Sequence, residues 1–476
     1  MAGQAELPSR ETDFSGWYNT VVQRAELADY GPARGTMVIR PYGYKLWEGI
    51  ASGMDAEIKA AGVENAYFPL FIPMNLLETE AQHIEGFSPQ LAVVTHGGGK
   101  KLEEPLAVRP TSETIMYPFY KKWVQSWRDL PVLINQWNNV VRWELRTTLF
   151  LRTMEFLWQE GHTAHATHEE SWAEVLRAMN MYEKVYREFL AIPGYKGVKS
   201  ESEKFAGADA TTTYETLMPD GRALQGCTSH DLGQNFSRPF GITFQNKSGQ
   251  AENVWQTSWG FTTRSIGALI MVHGDDKGLR LPPRIAPIQA VIVPIDVSND
   301  TLGHKTEQIA SALKAQGIRV KIDKRDNKTT GAKYYEWELK GVPVRVEIGA
   351  REMESGSVTI YRRDTGERQS IDINDLAGEM PLLLDNIQEG MLQRAENFLH
   401  DNTHNISTYD EFKAVIEGSR GMIRAFWCEK PDCEATIKEE TKASTRCLPF
   451  DAPEEQGACV HCGEQATHRW LFAQSY

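Results

Sequence analysis

The stretch from Val140 to His162 constrains this chain most, because it combines strand-like apolar residues with charged side chains. It reads VVRWELRTTLFLRTMEFLWQEGH, and we interpret it as a strand over 140–144, a polar loop over 145–149 and a returning strand over 150–156. Burying a guanidinium or a carboxylate is costly unless the group is paired or holds a ligand. The planar fork of arginine matches phosphate and carboxylate. The hairpin therefore predicts the floor of an anionic-ligand site; the alternative is a structural Arg–Glu pair.

Length and composition bound the number of domains and the compartment. With 476 residues, 41% hydrophobic and 24% charged, the chain is expected to form about two to four globular domains. No apolar run has the length of a membrane span, and residues 1–14 lack the apolar core of a secretory signal. We therefore expect no membrane contact. The cysteines are clustered rather than spread like a disulfide frame, which favours a cytoplasmic protein. The net charge of -13 argues against a general nucleic-acid coat but allows a local basic face.

The first part of the chain alternates helical and extended patterns. Apolar spacing predicts helices over 14–30 and about 41–61. The apolar run 63–73 is interrupted by Pro69 and Pro73. Because proline removes a ladder donor, this strand is predicted to lie at an edge. It is either an ordinary edge strand or, following a long helix, a dimer contact.

The middle of the chain predicts an antiparallel sheet backed by helices. A polar turn with Thr111 and Glu113 precedes a helix, and both residues also suit a capping role. A long helix over 168–192 is followed by several strands over 198–262. Arg264 then stands in the first turn of another helix, whose positive end favours anions.

A second domain is predicted beyond the proline-rich boundary at 281–289. Strands and helices alternate over 290–364, which is typical of a small, mostly parallel α/β domain. Within 319–333, six Lys or Arg stand against two Asp. This segment is either a solvated charged face or a nucleic-acid contact. An acidic helical segment over 372–402 leads to the last domain.

Five of the six cysteines lie between 428 and 462. Cys428 and Cys433 form one pair, and Cys459 and Cys462 form a tighter pair in CVHCGE. Two such pairs can present four thiolates tetrahedrally to zinc, with no position left for water, so a structural zinc is predicted. Free cysteines in a reducing cytosol are the alternative. Three further side chains compete as ligands: Cys447, His461 and His468.

Neither a GxxxxGK[ST] loop nor a GxGxxG after a strand occurs in the chain, so arginines must hold any phosphate. Three motifs in order resemble the class II aminoacyl-tRNA synthetases, most closely the prolyl-tRNA synthetases of archaeal/eukaryotic-like type. The long helix with the strand ending at Pro69 is similar to the first motif, which forms the dimer interface. RWE at 142–144 with RTMEF at 152–156 resembles the second, and GFTTR at 260–264 the third. The stretches PTSE, FLWQEGHTAH and QGCTSHDLGQNF strengthen the match, which runs from about residue 14 to Tyr476.

The resemblance implies an enzyme that activates L-proline with ATP to prolyl-adenylate and transfers proline to tRNA(Pro), releasing AMP and pyrophosphate. It implies a homodimer that uses Mg²⁺ and a structural zinc. The fold class would be multidomain α/β. We expect a class II catalytic domain over 1–285, with an antiparallel sheet flanked by helices, an anticodon-binding α/β domain over 286–402 and a C-terminal zinc-binding α+β domain over 403–476. About 100 residues separate the second and third motifs, so no editing insertion is expected.

Residue roles follow from the same resemblance. The catalytic arginines would be Arg142 and Arg264. Proline would be bound by Thr111, Glu113, Arg142, Phe156, Trp158, Glu160, His162 and His230. ATP would be bound by Arg142, Glu144, Arg152, Thr153, Gln225, Thr228, Thr262 and Arg264. The tRNA anticodon would be read by Glu338 and Arg345. Zinc would be bound by Cys428, Cys433, Cys459 and Cys462. The chain departs from the family where it has Gly349-Ala350-Arg351 in place of a Gly-Pro-Arg turn.

The chemistry of adenylate formation agrees with this residue set. A carboxylate is ionised at neutral pH, so its attack on the α-phosphate requires alignment and charge stabilisation rather than a general base. Two arginines with Mg²⁺ would supply both. Packing discriminates only about 1–3 kcal/mol per methylene, so misactivation of alanine is predicted.

Three other classes of protein are weighed against this one. The first is a synthetase-like paralogue without activity, which the retained arginines disfavour. The second is a class II synthetase for threonine or serine, which the prolyl-specific stretches disfavour. The third is a zinc-dependent nucleic-acid-binding protein without catalysis. An amino-acid panel and zinc removal discriminate among them.

Overall fold

A computed structural model describes residues 7–77, 91–144 and 146–476. A 3₁₀ turn spans Trp127–Asp129 and a π-helical turn spans Val185–Phe189. None of the described helices is long and apolar enough to cross a membrane. The α-helices are α1 (Phe14–Arg24), α2 (Pro41–Ala60), α3 (Met74–Leu77), α4 (Glu113–Trp123), α5 (His168–Lys184), α6 (Ser237–Phe240), α7 (Arg264–His273), α8 (Asp300–Ala315), α9 (Thr330–Leu339), α10 (Ala350–Ser355), α11 (Leu376–Asp401), α12 (Tyr409–Glu417) and α13 (Pro431–Thr441).

The strands of the described residues form one large sheet and several small ones. They are β1 (Ala28–Tyr30), β2 (Met37–Ile39), β3 (Glu64–Asn65), β4 (Phe71–Pro73), β5 (Ala92–Gly97), β6 (Lys100–Val108), β7 (Val132–Val141), β8 (Glu155–His165), β9 (Tyr195–Val198), β10 (Ala210–Leu217), β11 (Ala223–Gly233), β12 (Thr243–Gln245), β13 (Ala251–Asn253), β14 (Trp255–Thr262), β15 (Ala290–Pro294), β16 (Val320–Ile322), β17 (Val344–Ile348), β18 (Ser357–Arg362), β19 (Arg368–Asp372), β20 (Thr403–Asn405), β21 (Met422–Phe426), β22 (Ser444–Pro449), β23 (Gly457–Ala458), β24 (Gln465–Ala466) and β25 (Arg469–Ala473).

The large sheet has eleven strands in the order β20-β21-β25-β22-β9-β10-β11-β14-β8-β7-β3. All neighbours are antiparallel except the outermost pair at each end. Helices α1, α2, α5 and α7 contribute to one apolar core with this sheet, which includes Trp17, Ile50, Tyr182, Leu269 and Phe261. This is the antiparallel sheet flanked by helices that the sequence predicts.

The central hairpin differs from the prediction in where its strands end. β7 stops at Val141 and β8 starts at Glu155, so Arg142, Glu144 and Arg152 lie in the connection rather than on strands. Leu149 and its neighbours are buried in the helical core instead of pairing across the hairpin. The charged side chains are thereby carried on an irregular segment at the end of the sheet.

Two predictions near the N-terminus have different outcomes. The first helix ends at Arg24 rather than at 30, because residues 28–30 form a strand that pairs with β2. The edge prediction for 63–73 is confirmed, although the segment serves two sheets. Among the described strands, β3 pairs only with β7, and after Pro69 the strand β4 pairs with β6 in a separate three-stranded sheet.

The second domain is α/β, but its sheet is mixed rather than mostly parallel. Its order is β16-β15-β17-β18-β19. β15 is parallel to both of its neighbours, whereas β17–β18 and β18–β19 are antiparallel. The difference arises because only short connections link these last strands, and a parallel pair requires a long crossover. The acidic segment forms α11, whose apolar side enters the core of this domain.

The basic segment 319–333 is engaged within the chain. Arg325 donates to both carboxylate oxygens of Asp323 and also to Glu336. Lys328 donates to Glu336 at 2.5 Å, and the buried Lys333 donates to the Asp323 carbonyl at 3.3 Å. These pairs favour the charged-face alternative, and a nucleic-acid contact at this segment stays a prediction.

The C-terminal strands extend the large sheet. β22 pairs with β9 in the antiparallel sense, with Leu448 opposite Val198 and Pro449 opposite Gly197. Gly197 fits this pairing, because a Cβ there would approach the Leu448 carbonyl oxygen to 2.1 Å. The last part of the chain therefore forms one continuous sheet with the strands of the central hairpin.

Candidate active site

One cavity of about 280 Å³ opens at the end of the central hairpin. Its walls come from the hairpin connection, β8, β11, β14 and the starts of α4 and α7. All fifteen residues predicted to contact proline or ATP line it. They are Thr111, Glu113, Arg142, Glu144, Arg152, Thr153, Phe156, Trp158, Glu160, His162, Gln225, Thr228, His230, Thr262 and Arg264.

Arg142 is held at the centre of the pocket by a carbonyl and two rings. Its Nε donates to the Pro110 carbonyl oxygen at 3.1 Å. Its guanidinium lies 5.6 Å from the Phe156 ring centroid and 5.4 Å from that of Trp158. Burial lowers the pKa of Arg142 to about 10, although Glu113 opposes the shift, so the group remains a cation at neutral pH. A buried cation held in this way can bind an anion.

Arg264 brings a second cation from a different element. Its backbone N–H donates to the Thr262 hydroxyl oxygen at 3.1 Å, and its Nε donates to the Leu151 carbonyl oxygen at 3.1 Å. Burial lowers the pKa of this guanidinium as well. At the rim, Arg152 pairs with Glu144 at 2.8 Å. The pocket therefore presents three arginines with a carboxylate at its outer end.

Glu160 is the hub of a buried hydrogen-bond network. The Ser112 hydroxyl donates to it, as do Gln136 Nε2 at 3.1 Å and Asn138 Nδ2 at 2.6 Å. The His162 Nε2 lies 2.9 Å from its other oxygen. Burial opposes protonation of His162, but the Glu160 contact and nearby Glu113 charge outweigh it and raise the pKa of the imidazole.

The turn before α4 has no capping role. Ser112 occupies the N-cap position, but no side chain caps the helix. Instead the Thr111 hydroxyl donates to Glu113 and the Ser112 hydroxyl donates to Glu160. The capping alternative is therefore wrong, and the turn serves to place the Glu113 carboxylate in the pocket.

His230 forms a neutral wall of the pocket. Its Nδ1 lies 3.0 Å from the Thr211 hydroxyl and its Nε2 lies 3.1 Å from the Thr228 hydroxyl. The ring stacks on Phe205 with centroids 4.5 Å apart. Burial lowers the pKa of His230 to about 3, so the imidazole is uncharged at neutral pH. A neutral histidine can contact an amino acid without repelling its ammonium group.

The sequence missed several residues of this lining. Ser258 and Trp259 lie directly before the GFTTR motif, and the Ser258 hydroxyl is buried without a partner. Position 161 must be glycine because a Cβ there would lie 2.1 Å from the Trp259 ring. The only sequence signal for Ser258 and Trp259 is their position beside the GFTTR motif. Phe150 of the hairpin connection also lines the pocket. Four further missed residues lie outside every motif: Lys199, Glu203, Phe205 and Thr211.

The residues predicted to read the anticodon lie in the second domain, away from this pocket. Arg345 is buried between the rings of Tyr334 and Tyr361, at 3.9 and 4.2 Å, and donates to Glu347. Glu338 accepts from Lys277 at 3.2 Å and from the Tyr361 hydroxyl. Both therefore border the same tyrosine.

The four cysteines predicted to bind zinc come together. Their Sγ atoms all lie within 4.8 Å of one another, and those of Cys428 and Cys462 are 3.7 Å apart. Tetrahedral zinc with Zn–S bonds of about 2.3 Å requires sulfurs about 3.8 Å apart, so the residues fit this metal. Among the described residues, none of the three competing ligands joins the group. His461 instead places its Nδ1 3.4 Å from Cys433 Sγ, and Cys447 is buried in β22.

The antiparallel sheet, the flanking helices and the arginine-lined pocket define a class II aminoacyl-tRNA synthetase. Family models agree: the tRNA synthetase class II core domain (G, H, P, S and T) matches residues 96–273. The anticodon binding domain matches residues 289–381, and the C-terminal domain of prolyl-tRNA synthetase matches residues 409–476.

Individual relatives identify the family within that class. The proline--tRNA ligase of Natranaerobius thermophilus is 51% identical over 99% of this chain and 98% of its own length, and that of Rubrobacter xylanophilus is 53% identical over the same shares. A crystal structure of prolyl-tRNA synthetase from Cryptosporidium parvum, complexed with halofuginone and AMPPNP, superposes with a TM-score of 0.95 at 44% identity, covering 99% of each chain. The chain belongs to the proline--tRNA ligase family, and the ligation of proline to tRNA follows from that family.

Proposed function

We propose that the pocket holds ATP and L-proline together and forms prolyl-adenylate, from which proline passes to tRNA(Pro). A carboxylate oxygen of proline attacks the α-phosphorus and pyrophosphate leaves. A tRNA hydroxyl then attacks the carbonyl carbon and AMP leaves. The observation that carries this proposal is that all fifteen predicted substrate residues line one cavity.

At the ATP end, Arg142 and Arg264 are proposed to grip the α-phosphate from opposite elements. Two fixed guanidiniums stabilise charge that develops on phosphoryl oxygens and cost no reorganisation during the reaction. Glu144 is proposed to accept from adenine and Arg152 to contact the phosphates; in the structure these two pair with each other. The remaining proposed ATP contacts are Thr153, Gln225, Thr228 and Thr262.

At the proline end, Thr111 and Glu113 are proposed to receive the secondary ammonium, and Arg142 the carboxylate. Phe156 and Trp158 form an apolar wall whose ring planes are perpendicular. The buried pair Glu160 and His162, together with the neutral His230, completes the remaining walls of the proline pocket.

Mg²⁺ is proposed to accompany ATP. It prefers oxygen ligands and is usually bound by one or two carboxylates together with substrate phosphates. Glu144 and Glu203 line the cavity and supply such oxygens. When bound, the ion would neutralise phosphate charge.

The three domains are proposed to divide the work as the sequence predicts. Residues 1–285 activate proline, residues 286–402 bind the anticodon through Glu338 and Arg345, and residues 403–476 carry a structural zinc. Zinc analysis of the purified protein tests the last assignment. Cys459→Ser should lower the zinc content, whereas Cys447→Ala, at a buried cysteine outside the cluster, should retain it. Equal zinc loss in both variants would contradict the assigned ligands.

We also propose a cytoplasmic homodimer. The segment assigned to the first motif exposes two large side chains, Tyr67 at 73% and Tyr44 at 44%, and Phe71, just after it, is 46% exposed. A cluster of exposed aromatic groups is typical of an interface. Sedimentation should give twice the chain mass, and Tyr67→Arg should shift the protein towards the monomer.

Proline-dependent ATP–pyrophosphate exchange tests the proposed activity, with alanine assayed beside it. We expect strong exchange with proline and weaker exchange with alanine, because packing alone discriminates poorly between small apolar groups. A chain without an editing insertion would leave correction of alanyl-tRNA to another protein. Threonine and serine serve as controls from the same class. Absence of exchange with proline would overturn the proposal.

A further inference from the structure

A second cavity lies where the helices of the catalytic domain meet α11. It measures about 260 Å³, close to the size of the catalytic pocket. The two cavities share no lining residue, so the second space is separate from the substrate site. Its lining residues are Arg10, Ile192, Pro193, Leu217, Pro219, Val272, His273, Arg280, Met391, Arg394, Ala395, Phe398 and Leu399.

The walls of this cavity are apolar and cationic. Nine of its lining residues are apolar and three are arginines, and no carboxylate occurs among the described residues that line it. The catalytic pocket, in contrast, is lined by four glutamates as well as by its cations. Burial lowers the pKa of His273 to about 4, so this histidine adds no charge at neutral pH. The lining therefore suits an anion with an apolar body.

Two carboxylates beside the cavity are each shared between two arginines. Asp275 accepts from Arg280 at 2.8 Å and from both terminal nitrogens of Arg363. Asp364 likewise accepts from Arg394 at 3.2 Å and from a second arginine. Asp276 accepts from the Arg10 backbone N–H at 2.8 Å. The described lining itself carries three guanidiniums and no carboxylate.

Two donors in this region are also without partners. The Nε atoms of Arg10 and Arg280 are buried and have no hydrogen-bond acceptor within residues 7–77, 91–144 and 146–476. Arg10 is fixed in place, because its Nη2 donates to the Met271 carbonyl at 2.8 Å and its guanidinium lies 5.3 Å from the Trp17 ring. A buried donor without an acceptor is costly, and an anion that accepts from it would remove that cost.

We propose that this cavity binds an amphiphilic organic anion, with a carboxylate or phosphate head at Arg10, Arg280 and Arg394 and an apolar body against α11. At roughly 30 Å³ per water-sized unit, the space accommodates at least about nine non-hydrogen atoms, which is the size of a medium-chain fatty acid. The proposal is independent of the activity assigned to the catalytic pocket, because the two sites have no residue in common.

The cavity also connects the two functional parts of the molecule. α7 begins at Arg264 in the catalytic pocket and ends at His273 on the second cavity. α11 contributes Met391 both to the core of the second domain and to the cavity wall. A bound anion would contact both helices and hold them together, so its binding should raise the unfolding temperature of the full chain.

Titration calorimetry of the full-length protein with octanoate tests the site. Octyl phosphate distinguishes a phosphate head from a carboxylate head, and 1-octanol is the uncharged control. Arg10→Gln and Arg394→Gln should each weaken octanoate binding by about tenfold, the effect of losing one charge-assisted hydrogen bond. Arg284→Gln is the matched control, because this neighbouring arginine does not line the cavity. Arg394 is half exposed, so its variant should fold even if that of Arg10 does not.

Four outcomes would overturn the proposal. The first is binding of octanol as tight as that of octanoate, which would indicate non-specific apolar binding. The second is unchanged octanoate binding by the two arginine variants, and the third is an equal loss of binding in the Arg284→Gln control. The fourth is displacement of octanoate by saturating proline with a non-hydrolysable ATP analogue, which would place octanoate in the catalytic pocket. The site is supported if octanoate or octyl phosphate binds in the presence of saturating proline and the ATP analogue, and if the arginine variants weaken this binding.

Discussion

Arg142 of the catalytic pocket and Arg325 of the second domain stand in similar stretches of sequence, each with an acidic residue two positions away. Their environments differ in burial and in what they face. Arg325 donates to both oxygens of Asp323 and to Glu336, and these contacts raise its pKa. Arg142 lies buried in the pocket against a carbonyl and two aromatic rings and near the Glu113 charge, and burial lowers its pKa to about 10.

The difference separates a structural cation from a binding cation. A guanidinium whose donors are taken up by carboxylates of its own domain has little to gain from an external anion. A buried guanidinium that faces a ligand cavity interacts strongly with an anion that enters the cavity, since burial weakens the screening of its charge. Position in a basic stretch is therefore a poor guide to nucleic-acid or phosphate binding; the hydrogen-bond partners decide.

The largest effect is expected at the binding cation. Arg142→Ala should reduce proline-dependent exchange by roughly a thousandfold, because it removes a fixed donor from the reacting phosphate. Zinc content and the unfolding of the C-terminal domain should not change. The Arg128→Ala variant, at an exposed arginine outside the pocket, is the control. Substantial residual exchange in Arg142→Ala would show that Arg142 is not the binding cation that the comparison with Arg325 assumes.

Arg345 tests whether the second domain also contains a binding cation. Arg345→Gln should lower the kcat/KM of tRNA charging about tenfold to a hundredfold, the effect of losing one bidentate base contact. Exchange, which does not require tRNA, should be unchanged. The control is Arg368→Gln, since this exposed arginine lies over the same Tyr361 ring. Equal charging by the two variants would make Arg345 another structural cation.

A smaller effect, on stability alone, is expected at the structural pair. Asp323→Asn removes the charge that holds Arg325 and should lower the free energy of unfolding of the second domain by about 2 kcal/mol. Exchange should stay within twofold of the unmodified protein. The measurements are a urea unfolding curve and an exchange assay on the same preparation. A large loss of exchange would show that the two regions are not independent.

The smallest effect concerns pH. The pKa of His230 is lowered to about 3, so the folded state binds fewer protons than the unfolded state below about pH 6.5. Stability should therefore fall as pH drops below that value, by up to about 1.4 kcal/mol per pH unit.

The pKa of Asp323 is lowered to about 2, so its contribution to stability is present above about pH 3.9 and is lost only in stronger acid. His162 has the opposite effect on stability. Because its pKa is raised in the folded state, its contribution to folding stability is present at low pH and is lost as pH rises.

The urea midpoint of the protein and of His230→Gln, followed from pH 7 to pH 5, measures this effect. The unmodified protein should lose stability more steeply, since glutamine takes up no proton. Asp323→Asn should keep the slope of the unmodified protein over this range. Identical slopes for all three proteins would show that His230 is not held neutral by the fold.

The sequence predicted the pocket better than the fold around it. Arg142, Glu160 and Arg264 belong to short motifs, so their neighbours in sequence already indicate their role. Lys199 and Phe205 lie outside those motifs and come to the pocket only through the path of the chain. The ion-pair partners of the basic segment could not be predicted either, because a run of Lys and Arg does not show which of these side chains pairs with a nearby aspartate.

Strand positions failed for similar physical reasons. The apolar residues near Leu149 suit a strand, but they are buried against helices, and tertiary packing overrides local preference. The pairing of β22 with β9 leaves no local trace, because its partners are far apart in the chain. The four cysteines were found because metal-ligand spacing is short and specific.

The pairing of β22 with β9 has a consequence for how the protein is made. Val198 and Leu448 are 250 residues apart, and at roughly 5–20 residues per second the ribosome needs about 12–50 s to cover that distance. During that time the edge of β9 that later pairs with β22 has no neighbouring strand. An open strand edge is a template for pairing with other chains. The nascent chain therefore exposes this edge to pairing with other chains until β22 emerges.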